Sequence, residues 1–154
     1  MSLDDLDRMI IAALVEDGRS SFAQIGARVG LSAPAVKRRV DRLRASGAIT
    51  GFSARVDAAV LGWTTEAYVE LFCRGHTSPA EIGTAAGRHP EVVGACTVTG
   101  EADALIHIRA ADMQHFEQVV ERISAEPIVL RTRSVIVLSR LVERGDAGLT
   151  RVLP

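Results

Sequence analysis

The chain has 154 residues, of which 47% are hydrophobic, and a formal net charge of −1. This composition can bury the core of one domain or two small ones, which excludes a disordered chain. The sequence has no apolar run long enough for a membrane span and no signal-peptide pattern, so we expect a soluble, cytoplasmic protein. The charge is unevenly distributed, because residues 1–50 hold eight basic and six acidic side chains and five of those eight lie between 37 and 44. Such segregation is typical of a nucleic-acid-binding module joined to a second part.

The first predicted element is an amphipathic helix that ends at Gly18. Its apolar residues recur at helical spacing and are Leu3, Leu6, Ile10, Ala13 and Leu14. Ser21 fits the N-cap of a second helix over Phe22–Val29. Gly30 ends that helix and leaves a single residue before Ser32, the expected N-cap of a third helix. Two helices joined by so short a glycine-containing turn predict a helix-turn-helix.

The third helix is predicted to run from about Ala33 to just before Gly47, with Pro34 in the first turn, where its missing N–H is harmless. Its apolar stripe consists of Val36, Val40 and Leu43. The opposite side of the helix is strongly cationic. Such a face also occurs on ordinary solvated helices, but the short turn and the capping serine favour a recognition helix that enters the major groove of double-stranded DNA.

The angle of each side chain to the apolar stripe predicts its role on DNA. Arg38, near the helix start, is the candidate for a bidentate contact to guanine. Lys37, Arg42 and Arg44 are predicted to hold phosphates. Arg39 lies nearer the core and is expected to pair with an acid, either Asp5 or Asp7. The full predicted DNA-contacting set is Ser21, Ser32, Pro34, Ala35, Lys37, Arg38 and Arg42.

After residue 50 the pattern changes to β-prone residues. We predict a helix-turn-helix domain over 1–50, a linker strand over 51–62 and a second domain over 63–154. In the second domain the pattern predicts, in chain order, strand 64–74, helix 79–89, strand 92–99, strand 104–110, a helix from its cap Asp112 to about Ser124, and a long strand 128–142. Met113 is expected to face inward from the second of these helices. This βαββαβ order predicts a ferredoxin-like α+β sandwich.

A ferredoxin-like fold leaves one face of its sheet without helices, and these strands carry apolar residues on both faces. The economical way to cover that face is a two-fold homodimer in which two sheets meet. The dimer would place two recognition helices on one DNA molecule, with half-sites about one helical turn or a multiple of it apart. The long last strand is expected to join this contact.

A set of short segments occurs along the chain in a recognisable order: Leu3-Asp4-Asp5-Leu6-Asp7-Arg8-Met9-Ile10, Asp17-Gly18-Arg19, Gly30-Leu31-Ser32, Val36, Arg39-Val40, Arg42-Leu43, Gly47-Ala48-Ile49, Gly51-Phe52 and Gly100-Glu101-Ala102-Asp103. Together these segments resemble the Lrp/AsnC feast/famine regulators. The resemblance covers nearly the whole chain and implies a winged-type helix-turn-helix followed by the ligand-binding domain called RAM. It further implies an amino-acid-responsive transcription factor that forms dimers and octamers, with the effector bound between dimers. The sequence departs from the family pattern at Gly26, where a small alanine is usual, and at Ala104, where an aromatic is frequent.

The resemblance assigns effector binding to the turn at residues 100–103. A glycine lets backbone N–H groups approach a carboxylate, and Asp103 could meet an α-ammonium group. The alternative is that Gly100 and Asp103 only shape a hairpin. By analogy, the segment 130–134 adds Thr132 and Ser134. The expected effector-binding set is Gly100, Glu101, Ala102, Asp103, Thr132 and Ser134.

Catalysis has little support in the sequence. The four histidines show no metal-ligand spacing, and no phosphate-binding or nucleophile motif occurs, so we expect no metal, no catalytic residue and no cofactor beyond an amino-acid effector. Cys73 and Cys96 are expected to be buried free thiols, with a disulfide as the alternative. The function predicted is a sequence-specific DNA-binding transcriptional regulator that responds to an amino acid or a related small effector and is nucleoid-associated. An architectural DNA-binding protein without effector and a ferredoxin-like enzyme remain as alternatives.

Overall fold

The computed structural model describes residues 3–142, which fall into two compact units, one extending to Arg55 and the other spanning Val56–Arg140. The first unit contains the helices α1 (Asp5–Glu16), α2 (Phe22–Val29) and α3 (Ala33–Ala45). The second contains a 3₁₀-helix (Ala58–Leu61), β1 (Thr65–Cys73), α4 (Pro79–Ala86), β2 (Val92–Thr97), β3 (Ala104–Ala110), α5 (Met113–Ser124) and β4 (Val129–Ile136). The change of unit falls inside the predicted linker.

The three helices of the first unit bury one small apolar core. Its fully or nearly buried members are Ile10, Ala13, Ile25, Val29, Val36, Val40 and Leu43. Reciprocal capping boxes start α1 at Asp4 and α2 at Ser21. Gly30 ends α2 in the left-handed conformation with φ of 71°, which glycine adopts without strain. The packing and the caps confirm the predicted helix-turn-helix.

The second unit is a four-stranded antiparallel sheet in the order β2-β3-β1-β4. That order and the βαββαβ succession confirm the ferredoxin-like α+β sandwich. Alternate residues of the two central strands are buried beneath α4 and α5, among them Val69, Leu71, Ile106 and Ile108. The described helices therefore cover one face of the sheet and leave the other open.

The predicted last strand was too long. β4 ends at Ile136, opposite Ala67, and Val137 makes the final bond by donating its N–H to the carbonyl of Glu66. In this register Thr65, the first residue of β1, is opposite Leu138, so β1 offers the chain beyond Val137 at most one further position, and Leu138 is 92% exposed. Residues 143–154, which the predicted second domain included, lie outside the described residues.

The linker strand and the wing also do not form within residues 46–64. The chain there is irregular up to Asp57, whose carboxylate accepts a hydrogen bond from the N–H of Ala59 and starts the 3₁₀-helix. Gly62, with φ of 82°, ends that helix. Among residues 3–142, no strand pairs with the linker.

Three smaller expectations are corrected. α4 ends at Ala86 rather than 89, because Gly87 and the residue before Pro90 disfavour continuation of the helix. β2 ends at Thr97, since its pairing with β3 stops opposite Ala104. Met113, the first residue of α5, is 54% exposed.

The two cysteines are free, as expected, but they are not both buried. Cys73 is half-buried and Cys96 is exposed on the edge strand β2. Burial, together with the nearby Asp103 carboxylate, raises the pKa of the Cys73 thiol.

Candidate nucleic-acid interface and effector turn

The cationic face of α3 projects away from the core of the first unit. Val36, Val40 and Leu43 are buried against α1 and α2, whereas Lys37, Arg38, Arg42 and Arg44 are exposed. Pro34 is exposed and Ala35 half-buried in the first turn, beside Arg38. The structure therefore brings the predicted base-reading residues together at the start of the helix.

The cations of α3 differ in what they contact. Lys37 forms an ion pair with Asp41, one turn on, at 2.6 Å between Nζ and Oδ2. Arg38 and Arg44 form no ion pair with any residue among 3–142. Within the described chain, Arg38 is thus an exposed, unpaired cation at the position predicted to enter the groove.

A buried carboxylate ties the recognition helix to α1. Asp7 is only 1% exposed and accepts hydrogen bonds from Arg42 Nη2 at 2.7 and 2.8 Å and from Arg39 Nη1 at 2.8 Å. Arg39 also donates to Asp4 at 2.7 Å, and this hydrogen bond lowers the pKa of the Asp4 carboxyl. The cluster of Asp4, Asp7, Arg39 and Arg42 is called the α1–α3 clamp below.

The clamp confirms one predicted pair and adds two contacts that sequence reasoning missed. Arg39 pairs with Asp7 as expected, while Asp5 instead lies 3.4 Å from Arg8 on its own helix. Arg42, predicted as a phosphate contact, is 51% exposed and shares its guanidinium with Asp7. The signal for this clamp was present in the sequence as the acid-rich start of α1.

The two capping serines behave differently. The hydroxyl of Ser21 is occupied by Gln24, since Oγ donates to Oε1 at 2.8 Å and accepts from the Gln24 N–H at 3.3 Å. Ser32 occupies the N-cap position of α3, yet its side chain makes no capping hydrogen bond. Its exposed hydroxyl is therefore available at the tip of the recognition helix.

The turn at residues 100–103 is tied to the end of β1. Asp103 Oδ2 accepts the N–H of Cys73 at 2.7 Å, and the Asp103 N–H is donated to the Leu71 carbonyl at 2.9 Å. Gly100 has a φ of 118°, which favours glycine. Glu101 and Asp103 are exposed and Ala102 is half-buried. Asp103 thus has a hairpin-shaping contact and still reaches the surface.

Thr132 and Ser134 lie on β4 opposite Leu71 and Val69 of β1. Leu71 also pairs with Ala104, which follows the turn, so Thr132 and the turn are at the same end of the sheet with β1 between them. Thr132 Oγ1 lies 3.3 Å from Ser124 Oγ of α5. Within the described residues, no hydrogen bond joins the 100–103 turn to Thr132 or Ser134.

The open sheet face carries ionic and aromatic contacts that the sequence did not indicate. The Glu66 carboxylate accepts a hydrogen bond from Arg140 and lies 2.5 Å from Nε2 of His107. The His107 ring in turn stacks on the Tyr68 ring, with 4.7 Å between the ring centroids. Burial alone would raise the pKa of Glu66, but hydrogen bonds from Arg140 and His107 lower it.

On the same face, Arg133 binds the Glu70 carboxylate through two N–H groups and the Arg131 guanidinium lies 3.4 Å above the Phe72 ring. Tyr68 and Val135, at the centre, are 37% and 54% exposed.

Neither a metal site nor a membrane span is present in the described part of the chain. Residues 3–142 contain no group of three or more His, Cys, Asp or Glu side chains arranged to hold a metal ion. None of the helices in that range has the length and apolar character needed to cross a bilayer.

Comparison with protein families matches both parts of the chain. Residues 3–44 match the AsnC-type helix-turn-helix domain. Residues 66–147 match the Lrp/AsnC ligand binding domain. The second match alone spans more than half of the chain.

Individual relatives match along almost the whole length. An HTH-type transcriptional regulator of Mycobacterium tuberculosis, Rv2324, is 52% identical over 142 residues, covering 92% of this chain and 96% of the relative. A feast or famine regulatory protein of M. tuberculosis, solved in complex with L-methionine, has 32% identity and a TM-score of 0.86, covering 92% of this chain and 96% of that one. A transcriptional regulator of Neisseria meningitidis in complex with L-Met has 25% identity and a TM-score of 0.90, covering 99% and 100%.

Proposed function

This chain belongs to the Lrp/AsnC family of transcriptional regulators, and from that premise we propose how its own residues bind DNA and sense an effector. α3 enters the major groove, with Arg38 reading a base edge and Lys37 and Arg42 holding phosphates. The observation that carries this proposal is the exposed guanidinium of Arg38, beside Pro34 and Ala35 in the first half of the helix.

The DNA assignment is tested by comparing specific and non-specific binding of variants. Arg38→Ala should reduce discrimination between an operator and a scrambled duplex by about 1–3 kcal/mol while leaving non-specific binding nearly unchanged. Lys37→Ala should weaken both duplexes alike and reduce the dependence of log K on log salt by about one charge. An operator preference that survives Arg38→Ala would remove Arg38 from the role of reader.

The effector is proposed to be an amino acid held at the 100–103 turn. The support is the geometry of the turn, where Asp103 keeps one carboxylate oxygen, Oδ1, outside the contact with Cys73, and the L-methionine bound in two structural relatives. The ammonium group would meet Asp103 and the carboxylate would meet N–H groups beside Gly100. Thr132 and Ser134 are proposed to come from a neighbouring protomer, since no hydrogen bond joins them to the turn within the described part of this one.

A thermal-shift screen of the twenty amino acids tests this assignment. A ligand at 100 times its Kd adds about 2.7 kcal/mol to the free energy of unfolding, which gives a measurable rise in Tm. Asp103→Ala should abolish the shift and leave basal DNA binding intact. Asp103→Asn is the matched variant, because its amide oxygen can still accept the Cys73 N–H while the charge is gone. A full shift in Asp103→Ala would rule out the turn as the site.

The regulator is proposed to act as a homodimer that assembles into octamers, joined through the open sheet faces and working on the nucleoid in the cytoplasm without a catalytic activity. The exposed Tyr68 and Val135 support contact through that face, because exposed apolar groups at the centre of a sheet favour association. A sensor that changes its oligomeric state or DNA affinity with an amino acid differs in this respect from an architectural DNA-binding protein.

A further inference from the structure

The recognition helix α3 carries five basic side chains and a single acidic one, Asp41. The Asp41 side chain is 51% exposed, and its Oδ2 lies 2.6 Å from Nζ of Lys37. Among residues 3–142, no side chain donates a hydrogen bond to its second oxygen, Oδ1. A negative charge therefore lies on a surface that is proposed to meet a polyanion, and its presence there calls for a physical reason.

Helix stability does not supply that reason. Aspartate has a lower helix propensity than alanine, glutamate or lysine, and acids favour the first turn of a helix, whereas Asp41 lies in the second half of α3. An exposed ion pair at this spacing stabilises a helix only slightly, and the order with the lysine first, as in Lys37 and Asp41, is the weaker one. Asp41 is thus a poor choice for the fold of α3 alone.

The position of Asp41 on α3 places it beside Arg38. Residues three apart in a helix are separated by about 60° around its axis and by roughly 4.5 Å along it. Asp41 follows Arg38 by three residues and Pro34 by seven, so these three exposed side chains form one row, away from the buried Val36 and Val40. Base pairs of B-DNA are stacked about 3.4 Å apart. In the major groove, Arg38 and Asp41 would therefore face neighbouring base pairs.

A carboxylate distinguishes the base edges of the major groove by its charge. It accepts a hydrogen bond from the N4 amino group of cytosine, whereas guanine presents only the acceptors O6 and N7 and thymine presents the acceptor O4. When Lys37 moves to a phosphate, Asp41 loses its cation and needs another donor. Without one, the carboxylate gives up water in the groove and gains no hydrogen bond, which is unfavourable.

We propose that Asp41 is a specificity-determining residue, which accepts a hydrogen bond from N4 of a cytosine next to the base pair that Arg38 contacts. This proposal rests on the proposed entry of α3 into the major groove. Lys37 leaves Asp41 for a phosphate on any duplex, but only a duplex with the cytosine compensates the carboxylate. Asp41 thus lowers the affinity for wrong sites as well as contributing a contact at the right one.

The experiment is a selection of bound sequences by the full chain from a pool of duplexes with a randomised central segment. Wild type should enrich a guanine and, at the neighbouring base pair, a cytosine. Asp41→Ala should reduce the preference for that cytosine about five-fold or more and keep the guanine. Asp41→Asn should replace cytosine by adenine, because an amide binds N6 and N7 of adenine with two hydrogen bonds. A merely structural role of Asp41 would not convert one base preference into another.

Glu16→Gln is the matched control for the loss of one negative charge. Glu16 belongs to the same unit and also forms an exposed ion pair, with Arg28 at 2.7 Å, but it lies on α1. This variant should select the wild-type sequence. Thermal unfolding checks that every variant is folded. If Glu16→Gln changes the selected sequence as Asp41→Ala does, the effect belongs to net charge and the proposal is overturned.

Arg38→Ala separates this proposal from the entry of α3 into the groove. It should lose the guanine and keep the cytosine. Identical selections by wild type, Asp41→Ala and Asp41→Asn, with the guanine lost in Arg38→Ala, would show that α3 reads DNA without Asp41 and would overturn only the present proposal. An unchanged selection in Arg38→Ala as well as in both Asp41 variants would overturn the proposed base reading by α3, and the role of Asp41 with it.

Discussion

Asp7 shows how a single buried side chain can set the geometry of a DNA-binding helix. Removing a carboxylate from water is unfavourable unless charged donors replace the lost hydration, and Arg39 and Arg42 provide three close contacts. Both arginines are on α3 and the carboxylate is on α1. The clamp therefore fixes the rotation of the recognition helix and thereby directs Arg38 outward.

Asp7→Asn should lower the free energy of unfolding by about 1.5–3 kcal/mol, the range for hydrogen bonds to charged groups, because it leaves two arginines facing a neutral amide. Urea unfolding measures the change. Asp5→Asn is the control, since the Asp5 side chain is 94% exposed and only borders Arg8. Equal stability of the two variants would mean that the clamp contributes no more than a surface pair.

Glu91 predicts a loss of stability in acid. Burial would raise the pKa of this carboxyl, but hydrogen bonds from Arg122 and His115 lower it to about 2, from 4.5 when unfolded. The unfolded chain therefore takes up the proton first, so the contribution is present above pH 4.5 and lost as pH falls toward 2. Its size is at most about 3 kcal/mol.

The check is the urea midpoint of wild type and Glu91→Gln between about pH 6 and pH 3. The variant should be less stable at pH 6 and should lose less stability on acidification. Some acid sensitivity should remain in the variant, because the pKa values of Glu66 and Glu70 are lowered as well. Parallel pH profiles would exclude Glu91 as a source of the acid loss.

At the scale of elements, the sequence predicts what local chemistry decides. The start of α2 follows from Ser21, its end from Gly30, and β3 from the alternation between Ala104 and Ala110; all three are confirmed. The predicted bounds are wrong where a segment distant in sequence determines where an element ends. β4 continues its β-branched pattern past Ile136, but β1 begins only two residues before Ala67, the partner of Ile136, so little strand remains for a longer β4 to pair with.

Gly26 illustrates such a neighbour effect inside the helix-turn-helix. A Cβ at this position would lie 2.3 Å from the backbone carbonyl oxygen of Leu31, where the chain turns toward α3. Gly26→Ala should therefore destabilise the protein by about 1–3 kcal/mol despite the higher helix propensity of alanine. Gly83→Ala on α4 is the matched control, because a Cβ there meets nothing within 4 Å and should stabilise by about 0.5–1 kcal/mol. Thermal unfolding of both variants measures the difference, and a stabilised Gly26→Ala would show that the turn relaxes freely.

At the scale of the whole molecule, each candidate site has one part that the sequence predicts and another part that it does not. The cationic helix and the Gly-x-x-Asp turn are each contiguous in sequence, so the sequence predicts both as candidate sites. The partners that complete them are distant, as Asp103 meets Cys73 thirty residues away and Arg42 meets Asp7 thirty-five residues away. Periodicity carries no information about such pairs.

In the proposed dimer, the open sheet face would link oligomerisation to DNA affinity. Val135 is 54% exposed and lies directly opposite Tyr68, so a charge there would be buried without a partner if two sheets meet. Val135→Glu should therefore shift the protein from dimer toward monomer in sedimentation velocity. Met113→Glu is the control, because Met113 is equally exposed but belongs to α5, on the covered side of the sheet.

Loss of the dimer would also separate the two recognition helices, so each would bind its half-site without the effective concentration that a linked partner supplies. Affinity for a two-half-site operator should fall about 100-fold or more, while affinity for a single half-site stays unchanged. Comparing the two DNA fragments with Val135→Glu distinguishes this effect from damage to α3, which would weaken both. A monomeric Val135→Glu that retains full affinity for the two-half-site operator would show that each helix-turn-helix binds independently, and that the sheet serves only the effector response.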